Sequence, residues 1–188
     1  MNLKLSSFII KQDKIMKCGE YKLILGCGHD KRDGWIGVDK GDYGQQVIRD
    51  LRNGLPFCNN SCEHLIADQV LEHIQSNEDF IFVMNECLRV LKQGGIFEIQ
   101  VPYYESETAY KDPTHSRFFT KQTFAYLMRE NRWEYGFDKR WKIIYSNILG
   151  GSQVYTILIA DKDDCIDVNS IKLDTLKLEL NKDLCIKK

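Results

Sequence analysis

Several things are scarce in this sequence. No apolar run approaches the roughly 20 residues that carry a helix across a bilayer, which excludes a helical membrane protein. The patch from Leu5 to Ile10 is short, is broken by two serines and has no small-residue cleavage site after it. A cytoplasmic protein is therefore expected. An excess of charge of one sign is also missing. The 26 basic and 27 acidic residues leave a net charge of −1, so no global field draws in nucleic acid or an anionic membrane. Internal repeats and low-complexity segments are absent as well.

What is present reads as one soluble globular domain. The chain has 188 residues, 43% hydrophobic and 28% charged, enough for one real core and too few for two comfortable ones. Seven cysteines (18, 27, 58, 62, 87, 165 and 185) are an odd number, and free intracellular thiols are the simpler expectation than a disulfide framework. Cys58, Cys62, His64 and His73 match no common zinc spacing, so no metal site is expected.

The chain is organised around Lys22-Leu23-Ile24-Leu25-Gly26-Cys27-Gly28, followed shortly by Val38-Asp39. A buried-looking strand runs into a Gly-x-Gly turn, and a second strand ends on an acid. Glycines let backbone come close to a ligand with no Cβ in the way. A carboxylate at the tip of the neighbouring strand can accept a hydrogen bond from each hydroxyl of a ribose. A dinucleotide fingerprint would need a third glycine where Lys31 stands, and its acid only after a full helix. Asp39 comes too soon for that, and the dinucleotide reading fails.

Further along, brief strands are expected at Val47–Arg49 and His64–Ala67, with Asp68 and Gln69 at the carboxyl end of the latter. Apolar residues at helical spacing predict a helix from Asn77 to Lys92, capped by Gly94-Gly95. A strand should follow over Ile96–Val101, and a helix from Thr120 to about Glu130. Residues 141–149 and 153–160 read as an antiparallel pair joined through Gly150-Gly151. Residues 1–20 read as a strap or a covering helix. The tail from Asp161 onward is charged, with partly alternating leucines, and suits an added strand or a strap facing a partner, through which the chain could form an oligomer.

Five motifs occur in order: Leu25-Gly26-Cys27-Gly28, Gly34-Trp35-Ile36-Gly37-Val38-Asp39, Asp50-Leu51, Leu55-Pro56-Phe57 and Val70-Leu71-Glu72-His73-Ile74. Over about residues 20–160 this resembles a compact, type 11-like branch of the class I, Rossmann-like methyltransferases that use S-adenosyl-L-methionine (SAM). In that branch the helix after the first strand is shortened to a loop. The resemblance implies an α/β fold: a single doubly wound domain over residues 21–160, with a mostly parallel seven-stranded sheet ending in an antiparallel pair. It implies SAM as cofactor and S-adenosyl-L-homocysteine as product. Gly26, Cys27 and Gly28 would meet the amino acid end, Asp39 the ribose, and Asp50 with the Leu51 amide the adenine. Asp68 and Gln69 would stand beside the amino acid end. Two positions depart from the family's pattern. Ile24 stands where a polar residue often precedes the glycines, and His29 replaces a small residue.

Asp112-Pro113-Thr114-His115 falls in the loop after the fifth of the expected strands, which should overhang the methyl group. Pro113 keeps Asp112 out of the helical region. His115 offers an imidazole as a catalytic base, and Asp112 could orient it. His73 offers a second imidazole, as a base or as a link between loop and helix. Basic and aromatic residues also interleave from Tyr126 to Lys142, but Glu130, Glu134 and Asp138 cancel their field, and a solvated surface is the simpler reading. The function expected is methyl transfer to an oxygen or nitrogen of a small-molecule or sugar-like acceptor. RNA or protein methylation is an alternative, as is a non-catalytic module that binds SAM or a partner.

Overall fold

A computed structural model describes residues 10–11, 16, 18–137, 140–173, 176 and 178–180. Its frame is one sheet built from β1 (Ile10–Lys11), β2 (Tyr21–Leu25), β3 (Ile36–Asp39), β4 (Val47–Ile48), β5 (Cys62–Asp68), β6 (Leu91–Pro102), β7 (Arg140–Leu149) and β8 (Gln153–Asp161). The order is β1-β4-β3-β2-β5-β6-β8-β7. Strands β1 to β6 pair in parallel, whereas β8 runs antiparallel to both β6 and β7. The expected seven strands are all there, and the two-residue β1 extends the parallel edge.

Alternation sorts side chains to two faces. Leu23, Leu25, Leu65, Ala67, Phe97, Ile99 and Val101 join the main core with α1 (Asn77–Val90). Ile24 and Ile66 point the other way, into a smaller cluster with Trp35 and Cys27. Helix α1 starts where the Ser76 hydroxyl accepts from the Asp79 amide at 2.9 Å, with Glu78 and Asp79 favourably placed in its first turn. It buries Phe80, Val83, Met84, Cys87 and Leu88.

Several expectations are corrected. Gly94-Gly95 does not cap α1, which ends at Val90. The β5–β6 register instead jumps from Cys62↔Leu91 to His64↔Ile96, and the two glycines lie in the resulting bulge. In place of a helix from Thr120, a 3₁₀ stretch spans Thr123–Met128. The hydroxyls of Thr120 and Thr123 accept from nearby amides there and close tight turns instead. The cysteines are not all free. Cys18 and Cys58 form a disulfide with their Cα atoms 5.4 Å apart, a pairing of distant residues that odd counting could not show. Cys27, Cys62, Cys87 and Cys165 are free, and Cys185 lies outside the described residues. The expected N-terminal strap falls mostly outside them too. Within them, Ile10–Lys11 pairs with β4 and the Met16 amide donates to the Pro56 carbonyl at 2.8 Å.

The described part of the tail forms neither a strand nor an outward strap. It folds back over the second face, burying Leu178 against Tyr155 and Ile157. A buried carboxylate holds it. Glu98, on β6, accepts from the Glu179 amide at 2.7 Å and the Leu180 amide at 2.9 Å. The Tyr155 hydroxyl donates to it at 2.6 Å, and His64 Nε2 lies 2.7 Å away. Burial pushes Glu98 up, but hydrogen bonds from His64, Tyr155 and the Leu180 amide outweigh it, and its carboxyl is held below the usual range.

Candidate active site

Chain order reverses between β2 and β5: the strands following β2 go to one side of it, and β5 to the other. In open α/β sheets the crevice beyond the carboxyl ends at such a point is where ligands bind. Here it holds a cleft of about 420 Å³, within the usual range for small-molecule sites. Residues 26–35 connect β2 to β3 without a helix, as the resemblance implied.

Five of the eight proposed cofactor residues line the cleft: Gly26, Asp39, Asp50, Leu51 and Gln69. Gly26 has φ +59°, and a Cβ there would stand 2.5 Å from Val70 Cγ2. Only glycine fits this turn. The loop grips its acid: the Gly28 amide donates to Asp39 Oδ2 and the Gly41 amide to Oδ1, both at 2.9 Å. Each oxygen keeps acceptor capacity for a further donor. Gln69 also adopts a left-handed φ of 55°, a costly conformation for a side chain of its size and one that clusters at functional sites.

The other three stand differently. Cys27 turns its side chain away, into the cluster with Ile24 and Trp35 on the opposite face. Gly28 acts through Asp39 and does not line the cleft. Asp68 lies outside it as well, accepting from Gln100 Nε2 at 3.2 Å. Asp50 lines the cleft but also caps the turn Leu51–Asn53 and pairs with Arg52 at 2.6 Å. The hydrogen bond from Arg52 holds its carboxyl below the usual range.

His73 and Thr114 also line the cleft. His73 belongs to a 3₁₀ turn, Leu71–His73, directly after β5. The loop carrying Thr114 and His115 is tied to that turn, with the Ser116 amide donating to the Glu72 carbonyl at 2.9 Å. The rings of His73 and His115 meet edge to face at 4.8 Å. Asp112 does not orient His115, contrary to expectation. Its Oδ2 is 4.0 Å from His115 Nε2, while its Oδ1 accepts from the Thr114 hydroxyl and amide. Asx-type bonding to a residue two positions on wins over a longer reach to the ring. The Ala109 carbonyl orients His115 instead, accepting from Nδ1 at 3.0 Å.

Glu72 is the residue that sequence reasoning passed over as part of a motif. It is fully buried. Burial pushes its carboxyl up to about 7. Its only signal in the sequence was an acid between Leu71 and His73 in an otherwise apolar run.

A methyltransferase domain model matches residues 31–99. A SAM-dependent methyltransferase from Archaeoglobus fulgidus superposes with a TM-score of 0.53 at 16% identity, covering 76% of this chain and 86% of that one. A second, from Aquifex aeolicus, gives 0.54 at 12% identity, with 76% and 84% covered. The [4+2]-cyclase SpnF gives 0.55 at 15% identity, with 79% and 77% covered, so the fold alone does not name a reaction. No curated protein matches the sequence. Among the described residues no helix is long and apolar enough to cross a membrane. The strand order and the cleft at the reversal point, with a methyltransferase domain model matched over residues 31–99, give this chain the fold of the Rossmann-like SAM-dependent methyltransferases.

Proposed function

We propose that the protein moves a methyl group from SAM to an oxygen or nitrogen of a small-molecule acceptor. The observation that carries this reading is one cleft lined by Asp39 and Gly26 together with His73 and Thr114. The residues fit the cofactor: Asp39 is held as a two-oxygen acceptor for a ribose diol, Leu51 and Ile74 offer apolar wall, and Gly26 leaves backbone bare. When bound, SAM supplies an electrophilic methyl on a sulfonium. The chain's own part is to hold the acceptor in line with it, which can contribute roughly 7–11 kcal/mol toward the barrier. His73 and Thr114 face the acceptor, and His115, with a side chain only 6% exposed, positions them from behind. The near-neutral charge favours a small acceptor over RNA.

Calorimetry with S-adenosyl-L-homocysteine tests the reading, followed by methyl transfer to a panel of hydroxylated and amino acceptors. One equivalent should bind, and Asp39→Asn should weaken it by about 1.5–3 kcal/mol, the range for hydrogen bonds to charged groups. Absence of binding at millimolar ligand sinks the proposal. Binding with no turnover on any acceptor points to a non-catalytic module.

A further inference from the structure

We propose that Glu72, His73 and His115 form a binding site for a divalent transition-metal ion at the acceptor end of the cleft. One ligating atom from each lies within 4.8 Å of the others. The two elements that bring them together are 43 residues apart in sequence. The backbone bonds from the Ser116 and Arg117 amides to the Glu72 carbonyl fasten those elements to each other.

Three independent features point to a cation. First, Glu72 is fully buried, and neither carboxylate oxygen has a hydrogen-bond partner among the described residues. His115 Nε2 is 3.9 Å from Oε1, too far for a hydrogen bond. In its ionised form, a carboxylate buried in that state is costly unless a cation meets it. Second, His115 Nδ1 faces the Ala109 carbonyl at 3.0 Å, and a carbonyl only accepts. The proton therefore sits on Nδ1, and Nε2 presents a lone pair toward Glu72. Third, His73 Nδ1 is 2.9 Å from the Thr114 hydroxyl, which donates its own proton to Asp112 Oδ1 at 2.7 Å. The hydroxyl must then accept from Nδ1–H, which leaves the His73 Nε2 lone pair free.

Metal-ligating histidines show this pattern, with the second ring nitrogen donating to a carbonyl or a carboxylate-backed partner. Two imidazoles and one carboxylate suit zinc, iron(II), cobalt or manganese. They do not suit magnesium or calcium, which prefer oxygen alone. Ligands on one tetrahedral ion stand about 3.3–3.6 Å apart, so the set, spread over up to 4.8 Å, must draw in on binding. His73 is exposed on a short turn and can move to do so. Such a triad leaves coordination positions open, and the lining by His73 and Thr114 turns them to the cleft. An acceptor oxygen or nitrogen would bind there, a role that rests on the methyl-transfer reading, although the site itself does not.

The test is titration of the full, chelator-treated and desalted chain with Co²⁺ and then Zn²⁺, followed by visible absorption and metal analysis. One equivalent should bind at micromolar concentration, with cobalt d–d bands and no thiolate charge-transfer band, and millimolar Mg²⁺ should not compete. His115→Ala and Glu72→Gln should each weaken binding at least 100-fold. His73→Ala, at an exposed position, should do the same while the fold stays intact by circular dichroism. Cys165→Ser should change nothing. No stoichiometric binding at 100 µM Zn²⁺, or binding unaffected by His73→Ala, overturns the proposal, as does a thiolate band. Metal binding without S-adenosyl-L-homocysteine binding would remove the methyl-transfer reading and leave the site. Cofactor binding without metal would do the reverse.

Discussion

Gly26 and Gly28 belong to one loop, yet the structure separates what each contributes. Both adopt positive φ, +59° and +47°. A Cβ on Gly26 would stand 2.5 Å from Val70 Cγ2 and 3.0 Å from Cγ1, whereas one on Gly28 meets nothing within 4 Å. A left-handed conformation costs an L-residue roughly 1–2 kcal/mol, and overpacking costs roughly 1–3 kcal/mol more. Gly28→Ala should thus lose about 1–2 kcal/mol of folding stability and Gly26→Ala about 2–5 kcal/mol. Adding Val70→Ala to Gly26→Ala should restore the overlap part alone, a coupling of about 1–3 kcal/mol in a double-mutant cycle. Urea unfolding without ligand measures each variant. Equal losses at the two glycines, or no coupling to Val70, would refute the claim that Val70 closes the turn.

Two further predictions concern the cover and the N-terminal side. Glu98 is held below the ordinary carboxyl value of 4.5 in the folded chain. Its stabilisation is therefore complete above that value and lost as pH falls through the lower, folded one. Glu98→Gln should be less stable than the parent at about pH 7 and flatten the decline toward about pH 3 in urea titrations, and an unchanged acid limb would count against the tail anchor. The Cys18–Cys58 bridge spans 40 residues of sequence, for which loop-closure entropy gives about 4 kcal/mol. Reductant should lower the unfolding midpoint of the parent and leave Cys58→Ser unaffected. A parent indifferent to reductant would show that the bridge contributes no stability.

Much of the frame was legible because its signals are local. A buried strand running into Gly26-Cys27-Gly28, an acid at the end of the next strand and a glycine-linked pair of β-branched strands are each written in a few consecutive residues. Hydrophobic period and turn chemistry act over that range. Asp39 at the cleft and the antiparallel β7 and β8 followed from such signals alone. Tertiary structure decided the rest, because it depends on which distant groups meet. Cys27 sits in the loop by sequence, but the left-handed turn at Gly26 breaks the alternation of β2 and packs its side chain with Ile24 on the opposite face. The tail's leucines reveal an apolar side, and only the position of Glu98 shows that the sheet itself receives it. Asp112 and His115 are neighbours in sequence. The ring, however, is oriented by Ala109 and faces Glu72, 43 positions earlier, because the loop is fastened to the turn after β5. A buried carboxylate and two imidazoles gain their chemistry from that meeting, which no spacing in the chain records.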